Sequence, residues 1–150
     1  KVVGSGPEKE SLESRAKSQG YKNTEFLGWV SDEERVNLLQ NAKALIVASE
    51  DEDFGITSIE AQAAGTPVIA PSSGGFLETV VDLPAGRQGG KTGLLYGGPG
   101  QVTVEALVEA LQRFNPSDFK VEDLRKNAEK FGKVRFKKEI LTLIDKNLRA

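Results

Sequence analysis

Two glutamates, Glu52 and Glu60, stand either side of a Phe54-Gly55 turn in the stretch Glu52-Asp53-Phe54-Gly55-Ile56-Thr57-Ser58-Ile59-Glu60. An apolar run, Ala44 to Ala48, precedes this stretch, and a second, Val68-Ile69-Ala70, follows it. The pattern reads strand, loop, short helix, strand. A helix start offers free backbone N–H groups and a partial positive charge, which suit a phosphate. A carboxylate on the first turn of such a helix suits a sugar hydroxyl. Thr57-Ser58-Ile59-Glu60 also fits a T-x-x-E capping box, in which Glu60 would only hold the helix start. Two acids flanking a turn at a phosphate-suited terminus are more than capping requires, so both are candidate binding residues.

Composition removes several chemistries. The 150 residues include no His and no Cys, which excludes thiol chemistry, disulfides, zinc sites and histidine bases. With 20 basic and 22 acidic residues and no basic stripe, nucleic acid is not an expected partner. Asp51, Glu52 and Asp53 are adjacent acids on a loop and read as solvated rather than as a metal site, so no metal is expected. Gly86-Arg87-Gln88-Gly89-Gly90-Lys91-Thr92 looks like a phosphate-binding P-loop, but the pattern needs Gly at the position of Ala85 and a helix afterwards. A strand, Thr92 to Tyr96, follows instead, and the P-loop reading is rejected. The absence of Cys fits an intracellular, cytoplasmic setting. No apolar run approaches the ~20 residues of a membrane span, and no signal peptide is visible.

The length suits one domain over residues 1–150. Lys1-Val2-Val3 reads as a strand already under way, so the expectation is a piece of a longer chain. Gly4-Ser5-Gly6-Pro7 turns into a helix over Glu8 to Ser18 that Gly20 stops. A short strand over Asn23 to Leu27 leads to Gly28-Trp29-Val30, with the lone Trp expected as a half-buried loop aromatic. Ser31-Asp32-Glu33-Glu34 is a capping box opening a helix that ends near Asn41. Lys43 to Ala48 is expected as a parallel strand buried on both faces. After Val68 to Ala70 come a Ser72 to Gly75 loop, a short helix over Phe76 to Val81 and a last strand over Thr92 to Tyr96. Helices follow over Val102 to Phe114, Val121 to Phe131 and Lys133 to Leu148, with apolar residues at helical spacing. The basic side of the last one reads as a solvated face.

Strand and helix alternate from Lys1 to Tyr96, which predicts an α/β fold: a mostly parallel sheet with helices on both faces, followed by C-terminal helices. Ligands of such sheets bind beyond the carboxyl ends of the strands. Gly4 to Gly6, Gly28 to Val30, Glu52 to Thr57 and Ser72 to Gly75 all fall there. Their convergence implies a ligand with phosphates, most simply a nucleotide. Gly74-Gly75 fits either a close approach to that ligand or a plain turn.

These stretches resemble the donor-binding C-terminal domain of retaining glycosyltransferases of family four, also called group 1, which have the Rossmann-like GT-B fold. Val2 to Pro7, Phe26 to Glu34, Gly74 to Val80 and Thr92 to Tyr96 look like family blocks. Glu52 and Glu60, with seven residues between them, match the family's most specific motif. The resemblance implies a catalytic Glu52 beside the donor sugar, near the reacting carbon. It implies backbone N–H groups around Phe54, Gly55, Ile56 and Thr57 on sugar hydroxyls and phosphate. Glu60 would bind the ribose, and the backbone of Val30, with Asp32 as a weaker candidate, would meet the base.

Glu-Asp-Phe-Gly followed by Glu-Ala-Gln-Ala-Ala-Gly looks most like mannosyltransferase members, which points to GDP-mannose, with a UDP-sugar close behind. The family's Arg and Lys that clamp the diphosphate would lie upstream of Lys1, as would the domain that takes a glycan or lipid acceptor. These 150 residues alone are therefore expected to transfer no sugar. Leu83 to Gly89 looks like an insertion. The basic last helix permits, without demanding, peripheral membrane contact by the whole protein. The rival expectations are a non-catalytic nucleotide-binding α/β module and half of a sugar-nucleotide epimerase or phosphorylase.

Overall fold

Short runs of β-formers punctuated by glycine set the architecture. The computed structural model describes residues 1–49, 52–83, 90–98 and 100–148. They fall into two compact units, residues 1–37 and residues 38–150. In the first unit, β1 (Val2–Val3) pairs in parallel with β2 (Phe26–Gly28), and α1 (Lys9–Ser18) crosses between them. A parallel pair needs such a crossover, because a tight turn can only reverse the chain. Helix α1 begins at Lys9, one residue later than expected, whereas β2 begins at Phe26, three residues after the expected Asn23, and runs one residue further, to Gly28. Ser31 caps the next helix as its sequence predicts, its Oγ accepting the Glu34 N–H at 3.1 Å. That helix, α2 (Asp32–Gln40), begins in the first unit and ends in the second.

The second unit is built on a parallel three-stranded sheet in the order β3 (Leu45–Ile46), β4 (Val68–Pro71), β5 (Gly93–Tyr96). Its register pairs Leu45 with Val68, and Val68 with Gly93. Strand β4 is central and wholly buried, and its alternation divides the core. Val68 and Ala70 point to one side, where Ala61 of α3 (Ile56–Ala64) and Phe76 of α4 (Phe76–Thr79) pack. Ile69 points to the other, against Leu94, Tyr96 and Ala110 of α5 (Val104–Arg113). A sheet with helices on both faces is what period-two alternation in a doubly covered strand requires. Full burial of Phe76 or Ile69 stabilises the fold by about 1.5–3 kcal/mol each.

Strand β3 departs from expectation. It is shorter than the Lys43 to Ala48 run, and Ile46 is 49% exposed. Among the described residues β3 pairs only with β4, so it is an edge strand rather than one buried on both faces. A 3₁₀ turn over Pro116–Asp118 leads to α6 (Val121–Glu129), which packs on α3. The last helix, α7 (Lys133–Leu148), has the predicted bounds and no buried residue. No helix among the described residues is long and apolar enough to cross a membrane.

Candidate functional site

Helix α3 opens on Gly55, which adopts φ +77° and makes no side-chain cap. A Cβ there would lie 2.8 Å from the Phe76 ring as well as demanding a left-handed backbone, so only glycine suits the position. Because the helix starts at Ile56, Thr57 lies inside its first turn. The T-x-x-E box is therefore not how this helix starts, and capping does not account for Glu60. The missing cap is supplied from upstream: the Glu52 carboxylate accepts the Gly55 N–H at 3.2 Å. This places a half-buried carboxylate at the positive end of α3, where the helix dipole favours it. A helix start leaves the N–H groups of Ile56 and Thr57 without a carbonyl four residues back inside the helix. Both residues are exposed, Ile56 by 62%.

The loop before α3 rests on the loop after β4. The Gly75 N–H donates to the Glu52 carbonyl at 2.7 Å. A Cβ on Gly75 would meet the Phe54 backbone at 2.5 Å, and one on Gly74 would run into the Glu52 carbonyl. The glycine pair thus serves the close approach of two stretches of the chain's own backbone. This contact holds Glu52 in place.

Glu60 lies four residues after Ile56, hence on the same side of α3. Ile56, Ile59, Glu60 and Ala63 line one wall of an open groove of about 570 Å³, and Arg125, Ala128 and Glu129 of α6 line the other. Phe54 and Phe131 meet edge-on at its end, with ring centroids 5.7 Å apart. The structure therefore brings together Glu52, Phe54, Gly55, Ile56, Thr57 and Glu60 at one helix tip and its open flank. A carboxylate on an apolar wall beside the first amides of a helix can grip sugar hydroxyls and phosphate oxygens at once.

Val30 and Asp32 belong to the first unit. Val30 is part-buried at the end of β2, while Asp32 opens α2 and pairs with Arg35 at 3.2 Å. Trp29, expected half-buried, is 79% exposed; it follows Gly28, whose φ of +70° ends the strand in a left-handed turn. Asp51 and residues 84–89 of the Leu83 to Gly89 insertion lie outside the described residues. Among the described residues no three carboxylates gather where they could hold a metal ion.

A family profile described as Glycosyl transferases group 1 matches residues 1–131. The chain belongs to that family. This group 1 chain is 44% identical over 87 residues to alpha-1,3/1,6-mannosyltransferase ALG2 of Dictyostelium discoideum, covering 57% of the chain and 19% of the relative. To ALG2 of Eremothecium gossypii it is 34% identical over 123 residues, covering 81% of the chain and 23% of the relative. The group 1 chain thus spans about a fifth of the length of these curated relatives. Sucrose-phosphate synthase from Thermosynechococcus elongatus matches in structure with TM-score 0.77 at 28% identity, covering 98% of this chain and 38% of that one. Anabaena Alr3699/HepE, solved in complex with UDP and glucose, matches with TM-score 0.72 at 23% identity, covering 96% and 39%, a likeness of fold. The parallel α/β arrangement agrees with these GT-B neighbours.

Two site-forming residues escape the sequence reading of this group 1 chain. Ser58 and Thr79 are fully buried, and the Ser58 hydroxyl lies 2.7 Å from the Gly55 carbonyl and 3.0 Å from Thr79 Oγ1. They brace the α3 tip from inside. Their only sequence signal is a polar residue on the apolar face of each helix, which has no meaning until the partner is known.

Proposed function

We propose that this chain forms the donor half of a retaining glycosyltransferase, its C-terminal domain, which carries a hexosyl group from a nucleoside-diphosphate sugar to a glycan or lipid held by another part of the protein. One observation carries the reading. The α3 tip is open, with Glu52 held at its end by the Gly55 N–H and Glu60 on the exposed flank one turn further. Breaking the sugar–phosphate bond leaves negative charge on the departing diphosphate. The Ile56 and Thr57 amides are fixed in the first turn of α3 before the bond breaks, so they would stabilise that charge without reorganising. Glu52, oriented by its own hydrogen bond, faces the sugar. Glu60 accepts from the ribose hydroxyls. The chemistry assigned to these residues uses no metal.

Mannose from GDP-mannose is the first choice of donor, supported by relatives named alpha-1,3/1,6-mannosyltransferase. A UDP-sugar is second, supported by the fold of a neighbour solved with UDP and glucose. Calorimetric titration of the protein that carries these residues, with GDP, UDP and their sugar conjugates, tests the reading. Glu60→Ala is expected to weaken nucleotide binding about ten- to a hundred-fold, the worth of a charged hydrogen bond. Glu52→Gln should keep nucleotide binding and lose transfer. Equal nucleotide affinity in wild type and Glu60→Ala, with both folded, would defeat the assignment.

A further inference from the structure

The side of α3 that turns away from the groove carries a chain of buried hydrogen bonds reaching α6. Asn127 of α6 is 3% exposed, and Gln62, Thr79 and Ser58 are fully buried. Asn127 Nδ2 donates to Gln62 Oε1 at 2.7 Å and to the Thr79 carbonyl at 2.9 Å. Its Oδ1 accepts from Lys130 Nζ at 2.9 Å. Gln62 Nε2 donates to the same Thr79 carbonyl at 2.9 Å, so that oxygen has both lone pairs engaged. With two oxygens on one side of the amide and an ammonium on the other, only one orientation of the Asn127 side chain is satisfied. The Thr79 hydroxyl in turn lies 3.0 Å from Ser58 Oγ and 3.0 Å from the Gly75 carbonyl. The Ser58 hydroxyl lies 2.7 Å from the Gly55 carbonyl.

The endpoints matter. Gly55 and Gly75 are the N-caps of α3 and α4. Glu52 is suspended between them, its carboxylate on the Gly55 N–H and its carbonyl on the Gly75 N–H. We propose that Asn127 is a positioning residue for the site: through Gln62, Thr79 and Ser58 it locks the two glycine caps together and so fixes where Glu52 and the α3 amides point. Asn127 touches no substrate. Its consequence for turnover rests on the donor-site reading, whereas the mechanical link does not. A polar chain with every member satisfied confers rigidity that an apolar contact of equal area lacks, because each bond has a direction. Glu60 faces the opposite side of α3, so the ribose grip should be spared when the chain is cut.

The test uses hydrogen–deuterium exchange at single-residue resolution together with kinetics, on the protein that carries these residues. In Asn127→Ala the Gly55 and Gly75 amides are expected to exchange about tenfold faster. The Ile69 and Leu94 amides of the sheet should keep their rates. With GDP-mannose or UDP-glucose as donor, kcat should fall about tenfold while the donor KM moves by less than about twofold. Thr79→Val removes the hydroxyl at constant shape and should reproduce the faster exchange, and Thr79→Ser should restore it. Unchanged exchange at both glycines in Asn127→Ala and Thr79→Val overturns the proposal whatever the protein binds. Equal acceleration at Ile69 and Leu94 makes Asn127 a contributor to global stability only, and overturns it too. If wild type binds neither GDP nor UDP while the glycine amides respond as expected, the donor-site reading fails and the link from Asn127 stands.

Discussion

Helices α3 and α5 pack on opposite faces of the same sheet, yet their tips are made in different ways. Helix α5 closes its own end: Thr103 at the N-cap accepts the Ala106 N–H at 3.2 Å. Its inward residues, Ala106, Leu107 and Ala110, are apolar and meet Ile69, Leu94 and the stacked Phe114–Phe119 pair. Helix α3 has a glycine where α5 has a threonine, and its stabilising carboxylate comes from three residues upstream. Its inward face carries Ser58 and Gln62 beside Ala61. A helix that serves only packing satisfies its first amides by itself. The tip of α3 is instead braced from within by buried polar contacts, the Ser58 hydroxyl against the Gly55 carbonyl and Thr79 Oγ1. Each arrangement has a cost: the first occupies its donors, and the second loses its tip when one bracing atom is removed.

That contrast can be attacked at three strengths. Gly55→Val demands a left-handed backbone from a β-branched residue and drives its Cβ against Phe76, at a cost of about 3 kcal/mol or more. Urea unfolding should show that loss, and nucleotide affinity should vanish with the tip geometry. A cost below about 1 kcal/mol would mean that the cap is not the rigid point described. Thr103→Ala removes the α5 cap at about 1 kcal/mol. It should leave nucleotide binding unchanged, and a shift in affinity would break the division of labour between the two faces. Ser73→Ala is the mildest. Among the described residues the buried Ser73 Oγ has no hydrogen-bond partner, so its removal should cost less than about 0.5 kcal/mol of stability. A clear loss of stability would reveal a partner for that hydroxyl.

Much of this molecule is written locally. The strand–helix alternation, the parallel pairing, the Ser31 cap and the bounds of α7 follow from residues a few positions apart. So does the site's centre, because Glu52 reaches the Gly55 N–H three residues away. The exceptions share a cause. Ile46 belongs to an apolar run that reads as doubly buried, but its exposure depends on how many strands stand beside it. Trp29 is apolar enough to expect cover, but it follows the left-handed turn at Gly28 and is exposed. Thr57 and Glu60 match a capping box whose frame is shifted, because Gly55 starts the helix two residues before the box needs it to begin.

The amino-acid sequence by itself determined which residues could bind: two glutamates at a fixed interval, a glycine that permits the turn, and the period-two and helical spacing that raise them on a strand–helix junction. Tertiary structure alone decided what holds them. The Gly75 N–H meets the Glu52 carbonyl, and Asn127 meets Gln62 and Thr79 across 65 and 48 positions of the chain. Local spacing is readable because backbone geometry repeats every few residues. A hydrogen bond between distant side chains depends on the packing of whole helices, and no short-range pattern encodes its direction.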